Sequence, residues 1–245
     1  STNERDHAWM DEGINTYMER KYRAHYYPET GEHIRNLNFS GLNGSGVHML
    51  LNTTMGLKKD QPIDLTSDAY SEFNYGAVVY EKTADWMQYM ESIVGKDTML
   101  AITREYYKDY AFKQPQPQDL QRTAEKITGK DISNAFNKIY ATGVVDSSKI
   151  KKETRFSFII PGLNDNYRYI TFMPVAGYNN YDKVMLGGMI HNYQLPLQKF
   201  QFLIAPMYAT GSSSITGAAR FSYNHFTKRT WLETSVSGMR YSIND

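Results

Sequence analysis

Residues 7–27 read HAWMDEGINTYMERKYRAHYY, from His7 to Tyr27 without a proline. Apolar side chains recur at Trp9, Ile14, Tyr17, Met18 and Tyr22, the spacing of one helix face, and Gly13 is the single internal breaker. Pro28 and Gly31 end the run. The stretch therefore predicts an amphipathic helix with carboxylates at Asp11, Glu12 and Glu19. On this pattern alone Glu12 is one more solvated helix charge.

Outward from this helix, the first part of the chain continues as helical. Residues 36–46, NLNFSGLNGSG, predict a Gly/Asn/Ser loop. A second helix is expected from Ser67 to Val94, with Gly95 as its C-cap. Asp97 is placed to cap a third, which carries MLAITREYYKDYAF. The QPQPQ segment at 114–118 predicts an extended connector. Two shorter helices follow, 119–128 ended by Gly129 and 131–141 ended near Gly143.

The composition changes near Lys152. Of the 53 Lys, Arg, Asp and Glu residues, 41 lie in 1–153. Such a fall in charge density predicts two environments, and two domains, 1–150 and 151–245. Beyond the break, runs at 166–178, 182–193, 199–210, 214–226 and 231–243 are separated by turn chemistry such as Asn179-Asn180 and Gly211-Ser212-Ser213. Alternation is clearest at 215–223. Ile215, Gly217, Ala219, Phe221 and Tyr223 point one way, and Thr216, Ala218, Arg220 and Ser222 the other. Long strands with aromatic ends and one small, polar face fit an outer-membrane type of barrel; the competing reading is a soluble sandwich of shorter strands. The fold class is α+β, helices first and then antiparallel strands of a partial β-barrel.

The 245 residues carry a formal net charge of +1 and no cysteine. The balance removes the electrostatic basis for a nucleic-acid binder. The absence of Cys excludes a disulfide scaffold, cysteine-ligated zinc and a thiol nucleophile. No apolar run is long enough for a transmembrane helix. The polar N-terminus has neither an initiator Met nor an apolar signal core, so the chain reads as beginning inside something larger. The six histidines form no H-E-x-x-H pair, and neither a G-x-S-x-G elbow nor a P-loop is present.

Trp9-Met10-Asp11-Glu12-Gly13-Ile14-Asn15-Thr16-Tyr17-Met18-Glu19-Arg20 resembles the W-[LM]-[ND]-E-G-x-x-x-Y-x-E-R segment of the gluzincin aminopeptidases, the family of membrane alanyl aminopeptidase and leukotriene hydrolase. In that family an H-E-x-x-H helix gives two zinc ligands and the Glu of this segment gives the third. The resemblance places that role on Glu12 and the histidine pair before Ser1. A second block, Tyr75-Gly76-Ala77-Val78-Val79-Tyr80-Glu81-Lys82-Thr83-Ala84, is similar to the family's Y-x-x-x-x-Y-E-K-G-[FA] helix. It implies that Tyr80 is the oxyanion donor and Tyr75 a second active-site tyrosine. Asp11 stands where Asn is usual, and Thr83 where Gly is usual. Asp11 and Glu19 read as supporting or surface groups, and His7, His25, His33 and His48 as structural histidines.

The resemblance implies the helical C-terminal half of a thermolysin-like catalytic domain, a zinc cofactor and peptide substrates. Cut before the histidine pair, such a fragment is expected to be inactive by itself. Similarity to peptidases of Bacteroidetes-like bacteria, through Asn3-Glu4-Arg5-Asp6-His7 and Gly177-Tyr178-Asn179-Asn180-Tyr181-Asp182, implies a Gram-negative outer membrane, periplasmic or cell-surface location. The strands would then meet outer-membrane lipid. Five or six strands cannot close a barrel, so the C-terminal end also reads as cut. A different expectation is a non-catalytic, membrane-anchored module with a degenerate peptidase part.

Overall fold

The computed structural model describes residues 3–27, 44–146, 153–159 and 167–242. The chain divides into two compact units, Ser1–Ile150 and Lys151–Asp245. The fold is α+β: helices fill the first unit and a sheet the second.

In the first unit α1 spans Glu4–His7 and α2 spans Trp9–Tyr26. Trp9, Gly13 and Tyr17 are buried at four-residue intervals, so α2 turns one stripe inward. Trp9 meets Trp86 edge-on at 5.4 Å, and Trp86 meets Phe136 edge-on at 5.1 Å. These rings form the centre of the core, with Leu51, Ile63, Val78, Met87 and Ile139 around them.

Helix α3, Gly44–Gly56, begins in the stretch expected as loop and continues through residues to which the sequence reading assigned no element. The Gly/Asn/Ser stretch at 36–46 falls outside the described residues up to position 43, and its last three residues are helical. Burial of Leu51 and Met55, one turn apart, holds α3 despite its small polar residues.

The single helix expected over 67–94 is segmented. A 3₁₀ turn, Ser67–Ala69, precedes a short helical turn α4, Glu72–Asn74, then a π-helix, Tyr75–Lys82, and only then the regular α5, Thr83–Val94. Gly95, at φ +89°, ends α5 and flanks α6, Lys96–Tyr110. Asp97 thus sits inside the first turn of α6, where its charge favours the helix N-terminus without serving as the cap residue.

The QPQPQ connector is shorter than expected, because α7 begins at Pro117 and runs to Thr128. Gln116 and Asp119 form a reciprocal capping box with proline in the first turn, and left-handed Gly129 closes the helix. Beyond it lie α8, Ser133–Phe136, and a 3₁₀ turn, Asn137–Tyr140.

The second unit is one sheet whose six described strands follow chain order: β1 Glu153–Phe158, β2 Tyr167–Asn179, β3 Lys183–His191, β4 Phe200–Ala209, β5 Ser214–Phe226 and β6 Trp231–Arg240. Strands β2 to β6 pair antiparallel, but β1 runs parallel to β2 from Glu153 opposite Tyr167 to Phe158 opposite Phe172. The expectation of a purely antiparallel region is corrected there, and β1 itself was not read as a strand.

In β2 to β5 the two faces differ in burial. One face exposes Phe172, Tyr178, Leu186, Ile190, Phe200, Ile204, Tyr208, Ile215, Phe221 and Tyr223, whereas Thr171, His191, Gln201, Thr216, Ser222 and Asn224 are buried. A single row across the strands, Phe158-Phe172-Ile190-Ile204-Ala219-Gly238, stands in register on the exposed face. At one end Asp182 gathers the turns. It accepts from Asn179 Nδ2 at 3.0 Å, Ser212 Oγ at 2.5 Å and the Ser242 N–H at 2.8 Å.

Candidate metal-ligand and oxyanion site

Helix α2 and the π-helix approach closely because residue 13 has no side chain. A Cβ on Gly13 would collide with the Thr83 Cβ and methyl, and would stand 2.6 Å from the Val79 carbonyl oxygen. Thr83 is fully buried on that spot, which explains how the threonine is accommodated here. Glu12, one residue before Gly13, is thereby brought to the Tyr80 phenol. Burial pushes the Tyr80 hydroxyl up to about 12, and its hydrogen bond to Glu12, the Glu12 charge, Tyr75 and Glu4 all act in the same direction. The phenol therefore keeps its proton at neutral pH and can donate it in a hydrogen bond.

The π geometry sets the relative placement of Tyr75 and Tyr80. Five residues of α-helix turn about 500°, leaving two side chains about 140° apart. In a π-helix the N–H bonds the carbonyl five residues back, so a five-residue step comes close to one turn. Thr83 N–H bonds the Val78 carbonyl in this way, and Thr83 Oγ1 donates to the same oxygen at 3.2 Å. Tyr75 is half-buried and lies edge-on to Tyr70 at 5.9 Å.

Ion pairs brace the arrangement. Arg20 of α2 bonds Glu81 and, at 2.7 Å, Asp85; His48 Nε2 reaches the other oxygen of Asp85 at 3.0 Å. Burial opposes the Arg20 charge, but Asp85 and Glu81 outweigh it and raise its pKa. Further along, Tyr17 donates to Glu91 at 2.5 Å and Lys21 to the same oxygen at 2.8 Å. Glu19 pairs with Arg23 at 2.6 Å on the exposed surface of α2.

The histidines take structural partners. His7 lies 2.7 Å from Asp64, which also accepts from Trp9 Nε1 at 2.8 Å. His25 stacks edge-on against Tyr26, and His191 Nδ1 accepts the Tyr193 N–H at 3.1 Å. His33 lies outside the described residues.

Zinc requires three protein donors and an open position in a catalytic site. Among the described residues no three His, Asp or Glu side chains converge as such a set. Glu12 offers one oxygen donor, so these residues alone do not fit a complete zinc centre. The sequence did not single out Arg20 or Gly13 for their packing roles. Their signals were the E-R pair after the tyrosine and a glycine inside a helix.

Residues 1–139 match the Peptidase family M1 domain. The chain belongs to that family. Among curated M1 relatives, Aminopeptidase M1-D of Oryza sativa subsp. japonica is 24% identical over 135 residues, covering 52% of this chain and 14% of its own. Aminopeptidase M1-C of the same plant is 24% identical over 155 residues, covering 59% and 16%. The M1 chain here thus spans under one-fifth of the length of these relatives. Among solved structures, Legionella pneumophila aminopeptidase A in complex with aspartic acid aligns with 98% of this chain and 22% of its own, at TM-score 0.41 and 13% identity.

Proposed function

We propose that this chain supplies the third zinc ligand, Glu12, and the oxyanion donor, Tyr80, of a zinc-dependent metallopeptidase of aminopeptidase type. Tyr75 is the second tyrosine of that site. The observation that carries the reading is the close packing of α2 on the π-helix at Gly13, against Thr83 and the Val79 carbonyl, which brings Glu12 to the Tyr80 phenol. Zinc held by Glu12 and two donors from outside the described residues would polarise a peptide carbonyl and activate water.

The chain's own contribution is positional. Gly13 lets Glu12 reach the site, the π-helix sets Tyr80 beside Tyr75, and the neutral phenol donates to the oxygen on which negative charge develops.

In the full-length protein, Glu12→Ala is expected to remove both bound zinc and hydrolysis of aminoacyl substrates. Tyr80→Phe is expected to keep zinc and lower kcat about 10²-fold. Full zinc content and full activity in Glu12→Ala overturn the ligand assignment.

A second reading concerns the C-terminal sheet. In β2 to β5 one face is exposed and apolar, and the other buries polar side chains such as Thr171, Gln201 and Asn224 beside Met185, Ala205 and Phe226, the arrangement of a wall that meets hydrocarbon. From Phe172 to Tyr178, Val184 to Ile190, Phe200 to Tyr208 and Ile215 to Tyr223, that face bears no charged side chain. We infer that the sheet is part of an outer-membrane β-barrel that contacts lipid and anchors the peptidase at that membrane. If the protein were a non-catalytic module, the sheet would carry its whole function, and full-length protein that lacks hydrolysis but requires detergent would favour that alternative.

A further inference from the structure

Lys82 lies two residues after Tyr80 and closes the π-helix. Its side chain is only 1% exposed. Three acceptors surround the ammonium: Asp60 Oδ2 at 2.7 Å, the Gln61 carbonyl at 2.9 Å and the Ala141 carbonyl at 3.1 Å. An ammonium has three N–H donors, so each has a partner. Asp60 Oδ2 also accepts the Gly143 N–H at 2.7 Å, while Asp60 Oδ1 has no hydrogen-bond partner.

A buried ion pair seldom stabilises a fold more than apolar side chains of the same volume, because both charges lose their water. The pair is directional, however. It ties the last turn of the π-helix to 60–61 and to 141–143. The preceding residue, Glu81, is tied the other way, to Arg20 of α2. The two residues after Tyr80 are therefore clamped on opposite sides, and the segment cannot rotate into an α register without breaking both.

We propose that Lys82 is a positioning residue that, through Asp60, holds the π register of residues 75–82 and so keeps the Tyr80 phenol against Glu12. This inference rests on the reading of Tyr80 as the oxyanion donor. A donor that acts only on the developing charge affects kcat more than KM. Loss of the clamp should do the same, and only while the phenol is present.

The test is a cycle in the full-length peptidase: the parent, Tyr80→Phe, the charge-neutral pair Lys82→Met with Asp60→Asn, and all three together. The pair is expected to lower kcat about 10²-fold, the scale of a 1 Å misplacement, with KM within about twofold. In the Tyr80→Phe background the pair should add no further loss. An equal factor in both backgrounds, or parental kcat in the pair, overturns the positioning role while Tyr80 stands. Parental kcat in Tyr80→Phe overturns the reading of Tyr80 and the positioning role with it. If circular dichroism shows the pair to be unfolded, Asp60→Asn alone is read in the same cycle. It keeps the two carbonyl acceptors of Lys82, and its smaller loss of kcat must again vanish with Tyr80→Phe.

Discussion

Gly13 and Thr83 meet so closely that no Cβ can stand between them. The Val79 carbonyl closes the third side at 2.6 Å and, being backbone, cannot swing away. Gly13→Ala must therefore push α2 off the π-helix and carry Glu12 away from Tyr80. The expected loss is about 1–3 kcal/mol of stability, with zinc binding weakened in the full-length protein. Thermal melts and metal titration check both. An unchanged melt would mean that the helices already stand further apart.

The core rests on the edge-on chain Trp9-Trp86-Phe136. Trp86 also donates to the Ala135 carbonyl at 3.0 Å. Trp86→Ala should remove about 3–5 kcal/mol and take from that carbonyl one of its donors, leaving it the Asn137 N–H. Trp86→Phe, which keeps a ring but not the donor, should lose less. Denaturant titration ranks the two.

In the sheet, hydrogen bonds from Ser212 and Asn179 hold the Asp182 carboxyl well below the usual carboxylate range, against the opposing effect of burial. A depressed pKa means that the stabilisation is fully present above the ordinary carboxylate pKa of about 4 and fades as pH falls toward the folded value. Asp182→Asn should therefore flatten the acid side of the stability curve below about pH 4 and lower stability at neutral pH. Melting temperature against pH measures this, and an unaltered acid limb in the variant would refute the clasp.

Ile204 stands mid-strand on the exposed apolar face, opposite Ile190 and Ala219. If that face meets hydrocarbon, Ile204→Arg should cost about 2–4 kcal/mol in a bilayer. In detergent-free buffer the same change should improve solubility. Vesicle flotation of the full-length protein separates these outcomes, and equal flotation of parent and variant would count against a lipid-facing sheet.

Much of the fold was legible because it follows periodicity. Of the stripe read at Trp9, Ile14, Tyr17, Met18 and Tyr22, Trp9 and Tyr17 are buried and Ile14 and Met18 pack against the core, whereas Tyr22 is exposed. The glycine stops at 95 and 129 and the five long strands stand within a few residues of where spacing and turn chemistry put them. Two things were not legible. Helix α3 has weak local propensity and is held by the burial of Leu51 and Met55, a tertiary effect. The π-helix leaves the hydrophobic pattern of 75–94 almost unchanged, so a reading by period smooths over it. At the site, motif likeness singled out Glu12, Tyr75 and Tyr80. It gave no account of Gly13 or Lys82, whose roles depend on what lies across from them.

A π turn is an α-helix with one residue too many. Removing a single residue from 76–79 would let the ladder between α4 and α5 close as regular α-helix, with better-aligned hydrogen bonds. The shortened protein should gain helical regularity and forfeit the alignment of its two tyrosines. In the proposed site, the irregular backbone is the thermodynamic concession that would let two phenols five positions apart reach one substrate.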